Sequence, residues 1–234
     1  MVLVSSWLLG CTAAAEDVRL TFDDAKMYEV AMFTVKAGEA DALAEKYFAK
    51  VIPVAQEYGM RPLASFDVTH QEHGQPHAAT WAFFEWPSVE AKTKFEADKR
   101  YQRLKPQRDR RLDTLKLVYT QVAEDTSVTL RSDRLYEFFA GWINAHNGSH
   151  LPQYFASAGP FIGSRGVKFI GDFKVVGSSD PEFLPSTVGF IEWPDRSVKE
   201  AWFASEEFEQ NGWHRALAID RLVVLEGKVR QPGR

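Results

Sequence analysis

The 234-residue sequence contains a single cysteine, Cys11, so it cannot form an internal disulfide bond. It also lacks an apolar run of transmembrane length. The run that opens the chain, residues 1–11, is too short to span a bilayer, and no other segment approaches that length. Neither sign of charge dominates: 28 Lys and Arg stand against 32 Asp and Glu, for a formal net charge of −4. Nucleic-acid binding requires a basic surface, so we predict no nucleic-acid partner.

Several catalytic motifs are missing as well. The sequence has no glycine-rich phosphate loop, no serine nucleophile elbow and no dinucleotide-binding fingerprint. These absences argue against nucleotide chemistry, and we predict that the protein uses no cofactor. Aromatic residues are abundant, with 7 Trp and 17 Phe, which indicates large cores or an aromatic-lined pocket for a small apolar or aromatic ligand.

The start of the chain resembles a bacterial lipobox, in which a cysteine is lipidated and becomes the mature N-terminus. The segment Leu8–Cys11 (Leu-Leu-Gly-Cys) carries this resemblance, although no Lys or Arg precedes it; residues 12–15 offer an alternative signal cleavage site. We predict an exported periplasmic or cell-envelope lipoprotein that contacts the membrane only through a lipidated Cys11. A cytoplasmic location is the alternative.

The sequence contains an internal repeat. Residues 83–122 align with residues 190–229 at a constant offset of 107 without a gap, and ten of the 40 positions are identical. Among the identities are Glu85/Glu192, Trp86/Trp193, Lys92/Lys199, Arg108/Arg215 and Asp113/Asp220. A period of this length makes each copy the size of a domain rather than of a solenoid repeat.

Each copy is predicted to contain the same elements. Runs rich in β-branched and aromatic residues indicate four strands per copy, and apolar residues at helical spacing indicate two helices. The order is β-α-β-β-α-β, the ferredoxin-like unit. The predicted boundaries are 1–25 for a signal segment and tether, 26–122 for repeat 1, 123–133 for a linker and 134–230 for repeat 2. Gly59 is predicted to stop the first helix, which Pro53 should kink or end, and Ser88 to cap the next.

Several strands are apolar on both faces, as in Val30–Phe33 and Trp81–Phe84. Strands of this kind belong to a sheet that is covered on both sides. Helices would cover one face, and the sheet of the other copy is the natural cover for the second. We therefore predict an α+β fold in which two ferredoxin-like repeats form a single-chain α/β barrel.

Two stretches of the first copy resemble known bacterial sequences. Residues 86–92 and 101–109, with Tyr58–Arg61, resemble a family of unknown function, number 1330, and Tyr28-Glu29 with Val35–Gly38 are similar to NIPSNAP domains. The resemblance implies the dimeric α/β-barrel superfamily, which includes the antibiotic-biosynthesis monooxygenases. It implies a fold and a small cavity, but no settled reaction. Members usually dimerise, and further pairing into a homo-oligomer is left open.

Glu85 and Glu192 are the strongest candidates for catalysis. They occupy equivalent positions at the ends of the third strands, so a cavity related by a two-fold axis would receive both. A carboxylate on an apolar strand face has a raised pKa and can act as a general base. The alternative is that each glutamate pairs with Arg or Lys.

The other candidate residues surround the same predicted cavity. Trp81 and Phe83 share the strand face of Glu85, and Tyr28 belongs to the NIPSNAP-like opening; all three are predicted to bind ligand. Arg61 and Lys168 begin the second strands, where a cation could hold a carboxylate or enolate. The alternative for both is a surface salt bridge. His146 follows the first strand of the second copy and is a third catalytic candidate.

The six histidines give no clear metal site. His70, His73 and His77 form one loop cluster with Glu72 nearby, and His146 and His150 form another, whereas His214 has no evident partner. Solvated loop histidines are commoner than ligands, so no metal is predicted. Haem would need His70 or His77 on a sheet face.

The leading functional prediction is an exported, lipid-anchored protein that binds a small apolar or aromatic molecule in the barrel. The alternative is a cofactor-independent monooxygenase or isomerase that uses Glu85, His146 or Arg61 on an activated phenolic or keto substrate. A structural role in the envelope remains as a third interpretation.

Overall fold

The computed structural model describes residues 17–230. The strands are β1 (Val18–Phe22), β2 (Met27–Val35), β3 (Arg61–His73), β4 (Thr80–Trp86), β5 (Leu112–Val122), β6 (Thr126–Leu130), β7 (Leu135–Ile143), β8 (Lys168–Phe169), β9 (Phe173–Ser178), β10 (Thr187–Trp193) and β11 (Ile219–Val229). The helices are α1 (Ala40–Leu43), α2 (Ala49–Glu57), α3 (Val89–Ala97), α4 (Lys99–Asp109), α5 (His150–Ser164), α6 (Arg196–Phe203) and α7 (Glu206–Ala218).

Two predicted helix boundaries are confirmed, the start of α3 and the end of α2. The Ser88 hydroxyl accepts a hydrogen bond from the Ala91 N–H at 3.1 Å and caps α3, which is the predicted role. Gly59 follows α2 with φ of +82°, a backbone conformation that glycine adopts without strain. Pro53, in contrast, lies inside α2 and does not end it; a wider π-helical turn, Ala44–Phe48, precedes α2 in the same helical segment.

Each repeat forms the antiparallel sheet of a ferredoxin-like unit. In the first repeat the strand order is β5-β2-β4-β3, and in the second it is β11-β7-β10-β8. The strand that begins each repeat therefore lies in the middle of its sheet, beside the third strand of the unit. This is the order that the predicted β-α-β-β-α-β succession requires.

The two sheets join at both edges and close into a barrel. β11 pairs with β3, where Val229 lies opposite Phe66, and β9 pairs with β5, where Phe173 lies opposite Val122. β8 and β9 belong to one continuous segment, in which the Ile170 N–H donates to the Phe190 carbonyl at 2.8 Å. The sheet is thus continuous around the circle, and the predicted single-chain α/β barrel is confirmed.

Side chains fill the barrel interior. Phe66 stacks on Trp81 with ring centroids 4.6 Å apart, and Phe83, Tyr136 and Phe190 pack around them. All five rings are at most 1% exposed. The space between the sheets, where the sequence analysis places a ligand cavity, is therefore occupied by the protein's own aromatic core. Two further apolar cores lie outside the barrel, where the helices of each repeat cover the sheet.

A two-stranded ribbon covers one end of the barrel. β1 and β6 pair antiparallel, and Phe22, which is fully buried, contacts Tyr28 and Phe173 with ring centroids 4.9 and 5.2 Å apart. Both strands fall in segments that the sequence analysis treats as tether (1–25) and linker (123–133). They form structure because alternate residues, such as Leu20 and Phe22, point into the barrel core while their neighbours face solvent.

The predicted signal segment and the lipidation of Cys11 lie outside the described residues. Within residues 17–230, no helix combines the length and the apolar character needed to cross a membrane.

Candidate functional site

Each repeat carries a cleft between the outer face of its sheet and its helices. The second-repeat cleft has a volume of about 70 Å³, and its walls include Phe139, Leu151, Tyr154, Ala158, Trp193 and Trp202. The first-repeat cleft has a volume of about 80 Å³, and its walls include Phe33, Tyr47, Ile52, Phe84, Trp86 and Phe95. Apolar clefts with a few polar groups are the usual form of a small-molecule site, but both volumes lie well below the roughly 300–1,000 Å³ typical of such sites.

The floor of the second-repeat cleft is a buried cluster of charges. The Lys199 ammonium lies 2.6 Å from Glu137, 2.5 Å from Glu226 and 2.7 Å from Glu72. The side chains of Lys199, Glu137 and Glu226 are 5%, 9% and 2% exposed. Glu72 comes from β3 of the first repeat, so both repeats contribute to this floor.

The same ion pair recurs in the first repeat. The Lys92 ammonium lies 2.6 Å from Glu29, and the two side chains are 5% and 9% exposed. Glu96 lies 3.4 Å from Lys92 and is the second carboxylate there, but it is 37% exposed. The chain thus contains a buried lysine–glutamate pair beneath an aromatic cleft in both repeats, with two carboxylates around the first lysine and three around the second.

The surroundings set the protonation of the second cluster. Burial alone lowers the pKa of Lys199, but Glu137, Glu226 and Glu72 outweigh it and raise that pKa, so the ammonium stays charged. Burial raises the pKa of Glu137, and the neighbouring carboxylates add to this effect while Lys199 opposes it; the pKa of Glu137 ends above its ordinary value. The Arg196 guanidinium also lies 2.6 Å from Glu226, so the cluster holds two cations and three carboxylates, and Glu137 is the carboxyl whose pKa is raised.

The cleft walls hold aromatic rings around this floor. The Trp202 indole N–H donates to the Tyr154 hydroxyl at 3.2 Å, and the Arg215 guanidinium lies 5.8 Å from the Tyr154 ring centroid. At the mouth, Phe155 and Phe169 meet edge to face at 5.8 Å and are 38% and 48% exposed. The arrangement places aromatic rings around a floor that holds carboxylates and an ammonium.

The structure places three of the sequence-based candidates together, but outside these clefts. Arg61 donates two hydrogen bonds to Glu85, at 2.9 and 2.7 Å, and Tyr28 lies opposite Glu85 in the β2–β4 ladder. Tyr28 is fully buried, and burial raises its pKa to about 12. Glu85 thus has the arginine partner that the sequence analysis holds as its alternative.

The second repeat has the equivalent group. The Lys168 ammonium lies 3.2 Å from Glu192, and the Tyr136 hydroxyl lies 3.4 Å from the same carboxylate. The cations of both groups, Arg61 and Lys168, are 66% exposed at the side chain, whereas Glu85 and Glu192 are buried. The catalytic role assigned to these glutamates stays a prediction.

The remaining candidates are dispersed. Trp81 and Phe83 are fully buried in the barrel interior, so the ligand-binding role predicted for them would require that interior to open. His146 is exposed in the loop after β7, where its backbone N–H donates to Asn144. His70, His73 and His77 are exposed as well.

The sequence analysis missed the charge cluster for an identifiable reason. The identity Lys92/Lys199 is visible at the offset of 107, but Glu29 and Glu137 are 108 residues apart and escape a gap-free alignment. Allowing one residue of slippage aligns Tyr28-Glu29 with Tyr136-Glu137 and would have revealed a glutamate on both first strands.

Comparison with solved structures defines the class of fold. The chain is similar to an anthrone oxidase-like protein, with a TM-score of 0.54 and 15% identity over 92% of this chain and 97% of the other. It is also similar to a mutant chlorite dismutase from Candidatus Nitrospira defluvii solved with cyanide, with a TM-score of 0.50 and 11% identity over 90% and 92% of the two chains. The chain therefore has the fold of the dimeric α/β-barrel proteins.

The sequence comparison is narrower and concerns the first repeat. Residues 26–120 match the family described as "Domain of unknown function (DUF1330)", which confirms the resemblance noted for that repeat. An uncharacterized NIPSNAP domain protein from Burkholderia xenovorans aligns with 40% of this chain and 90% of its own at 13% identity, with a TM-score of 0.29 that supports no structural argument. No curated protein matches the sequence.

Proposed function

We propose that the chain binds a small apolar or aromatic molecule in the second-repeat cleft and acts on it as a cofactor-independent monooxygenase or isomerase. The observation that carries this proposal is the buried pair of Glu137 and Lys199 at the floor of an aromatic cleft. A carboxyl and an ammonium at such a depth are costly to bury, and strongly perturbed groups in a cleft are typical of functional sites.

The pKa values of Glu137 and Lys199 are both raised, and the proposed chemistry follows from these two shifts. Glu137, with its raised pKa, is suited to take a proton from a carbon beside a keto group or from a phenol. Lys199, which stays charged, would stabilise the enolate or phenolate oxygen that results. An isomerase would return the proton to another carbon, whereas a monooxygenase would let the electron-rich carbon reduce O2.

Anthrone is the first probe, because one of the similar structures is described as an anthrone oxidase-like protein; the cleft of about 70 Å³ must widen to admit its three rings. In its oxidation the two methylene C–H bonds break and a C=O bond forms. One atom of O2 enters the quinone product, and the other leaves as water with the two hydrogens. The reaction is balanced by anthrone and O2 alone, so it needs no added cofactor.

The test measures oxygen uptake and quinone absorbance with the purified chain, anthrone and no additive. Leu151→Trp should block the second-repeat cleft from the rim and lower turnover at least tenfold while leaving the charged floor intact. Ile52→Trp, at a half-buried wall position of the first-repeat cleft, is the matched control and should retain turnover. Equal turnover in both variants would contradict the assignment to the second-repeat cleft.

Binding is measured separately from chemistry. Anilinonaphthalene sulfonate fluorescence should rise with the parent chain and with Ile52→Trp, and should fall with Leu151→Trp. Probe binding with no oxygen uptake and no isomerisation of keto substrates would leave a binding protein as the function. A homo-oligomer stays a prediction that light scattering on the purified chain tests.

We also propose export with lipid anchoring at Cys11, supported by the Leu8–Cys11 sequence alone. Radiolabelled palmitate should enter the protein expressed with its own N-terminus, and Cys11→Ser should abolish the label. A labelled Cys11→Ser product, or an unlabelled parent in the cytoplasmic fraction, would contradict anchoring at this cysteine.

A further inference from the structure

Two histidines that are 64 residues apart in sequence meet on the second repeat. The Nδ1 atoms of His150 and His214 lie 2.8 Å apart, and the two ring centroids are 5.0 Å apart. His150 is the first residue of α5, and His214 lies within α7. Both residues are half-buried, so part of each side chain faces solvent. His214, which has no evident partner in the sequence, therefore has one in the fold.

The two nitrogens form a hydrogen bond, and their separation is short enough for both to bind one ion once each ring turns its lone pair toward a shared point beside the N–N line. Metal–imidazole bonds are about 2.0–2.1 Å long, so two nitrogens on one ion are about 2.9 Å apart at a right angle and about 3.3 Å apart at a tetrahedral angle. The separation of 2.8 Å, which is that of the hydrogen bond in the metal-free pair, is closer to the right-angle value than to the tetrahedral one. Right angles between nitrogen ligands are typical of square-planar or tetragonal copper(II) and nickel(II).

We propose that His150 and His214 form a binding site for one copper(II) or nickel(II) ion that bridges helices α5 and α7. In the metal-free pair one Nδ1 donates a proton to the other. When the metal binds, the donor ring transfers that proton through solvent to its own Nε2, so both Nδ1 lone pairs become available and no net proton is released. Copper(II) binds more tightly than nickel(II), as the order of divalent metal affinities requires.

Water completes the coordination. In the described part of the chain, the group of three or more potential metal ligands is Asp23, Asp24 and Asp125, which lies elsewhere and does not include these histidines. Two protein ligands hold an ion less tightly than three or four, so the site exchanges its metal readily. Because α5 and α7 both line the second-repeat cleft, a bound ion would fix the helices that cover it.

Trp213 provides a built-in reporter. Its indole stacks on His214 with ring centroids 3.8 Å apart and lies 5.2 Å from His150. Copper(II) this close quenches indole fluorescence strongly. The test titrates copper(II) chloride into the chelator-treated full chain and follows tryptophan emission together with the electron paramagnetic resonance spectrum. One equivalent should give a tetragonal copper spectrum with hyperfine splitting from two nitrogens.

Variants separate this site from other histidines. His150→Gln and His214→Gln should each lower copper affinity at least tenfold and remove the two-nitrogen splitting. A triple variant of the exposed hairpin histidines (His70→Gln, His73→Gln, His77→Gln) should keep both. Trp213→Phe should keep the splitting and lose most of the quenching.

Two results would overturn the proposal. One is copper affinity that is unchanged in both single variants. The other is a two-nitrogen spectrum that disappears in the triple variant and persists without His150 or His214. Circular dichroism shows whether each variant is folded, and neither outcome depends on enzymatic turnover.

Discussion

The Lys199 ammonium lies 2.6 Å from the Glu137 carboxylate, and the two side chains are only 5% and 9% exposed. Lys92 and Glu29 repeat this relationship in the first half of the chain, at the same distance and the same depth. Because the pair occurs in both repeats at the same depth, each half of the fold must accommodate a buried lysine and a buried glutamate. It also provides matched variants for dissecting the two clefts.

Lys92→Met should lower the free energy of unfolding by about 3–5 kcal/mol, because it leaves Glu29 buried without its cation. Lys199→Met should lower it further, because Glu137 and Glu72 then lack their cation and Glu226 keeps only Arg196. Urea unfolding followed by circular dichroism measures both values. Lys92→Met combined with Glu29→Leu should recover much of the loss, and a double variant as unstable as the single one would contradict this explanation.

The contribution of Glu72 should depend on pH. Burial raises its pKa, but the hydrogen bond and the charge of Lys199 outweigh burial and lower it. A lowered carboxyl pKa stabilises the folded state above the unfolded value of about 4.3, and this stability is lost as the pH falls through the folded pKa. The difference in unfolding free energy between the parent and Glu72→Gln should therefore be largest at pH 6 and shrink toward pH 3. A difference that is constant over this range would show that Glu72 is not held ionised by Lys199.

Gly227→Ala should destabilise the seam between the repeats. A methyl group there would lie 2.5 Å from the Asp67 carbonyl oxygen and 2.6 Å from the Trp81 ring, so we expect a loss of about 1–3 kcal/mol. Gly163→Ala is the matched control, because Gly163 lies in α5 with open space around it. That change should add about 0.5–1 kcal/mol by favouring the helix. Thermal unfolding of the two variants should move in opposite directions, and equal shifts would argue against the tight seam.

The Arg61–Glu85 pair should depend on the shape of the guanidinium group. Arg61→Ala should cost about 1–2 kcal/mol, a value reduced by the 66% exposure of Arg61. Arg61→Lys should restore only part of it, since an ammonium cannot make the two parallel hydrogen bonds. Urea unfolding measures both variants. Full recovery with lysine would show that charge alone matters.

The sequence predicts the barrel well because the signals for its strands are local and occur twice. The β-branched and aromatic runs at Tyr28 and Trp81 sit in strands, Ser88 caps α3, and Gly59 follows α2. The strands that are apolar on both faces correctly indicate a sheet that is covered on both sides. What covers its inner face is a packed aromatic core and not a ligand, a distinction that depends on side-chain volumes across the barrel.

The candidate site was harder to predict because its partners are distant in sequence. In the sequence, Glu72 lies among the histidines of a predicted loop. In the fold it accepts a hydrogen bond from Lys199, 127 residues later. His150 and His214 meet only because α5 and α7 lie side by side. The ribbon strand β6 is short, and its polar residues resemble a linker until Leu130 is seen to enter the core.

The β1–β6 ribbon has a consequence for how the molecule behaves on dilution. Leu20 faces Val128 at the centre of the ribbon, so an approximate two-fold axis that exchanges the repeats passes between these residues. In a barrel made of two separate chains, such a contact would weaken as the protein became scarce. Here residues 123–125 tether β6 directly to the end of β5, and the local concentration of one half around the other is set by the covalent chain. The two halves of the barrel therefore do not separate when the protein concentration is low. Because they belong to one chain, their sequences can also diverge independently.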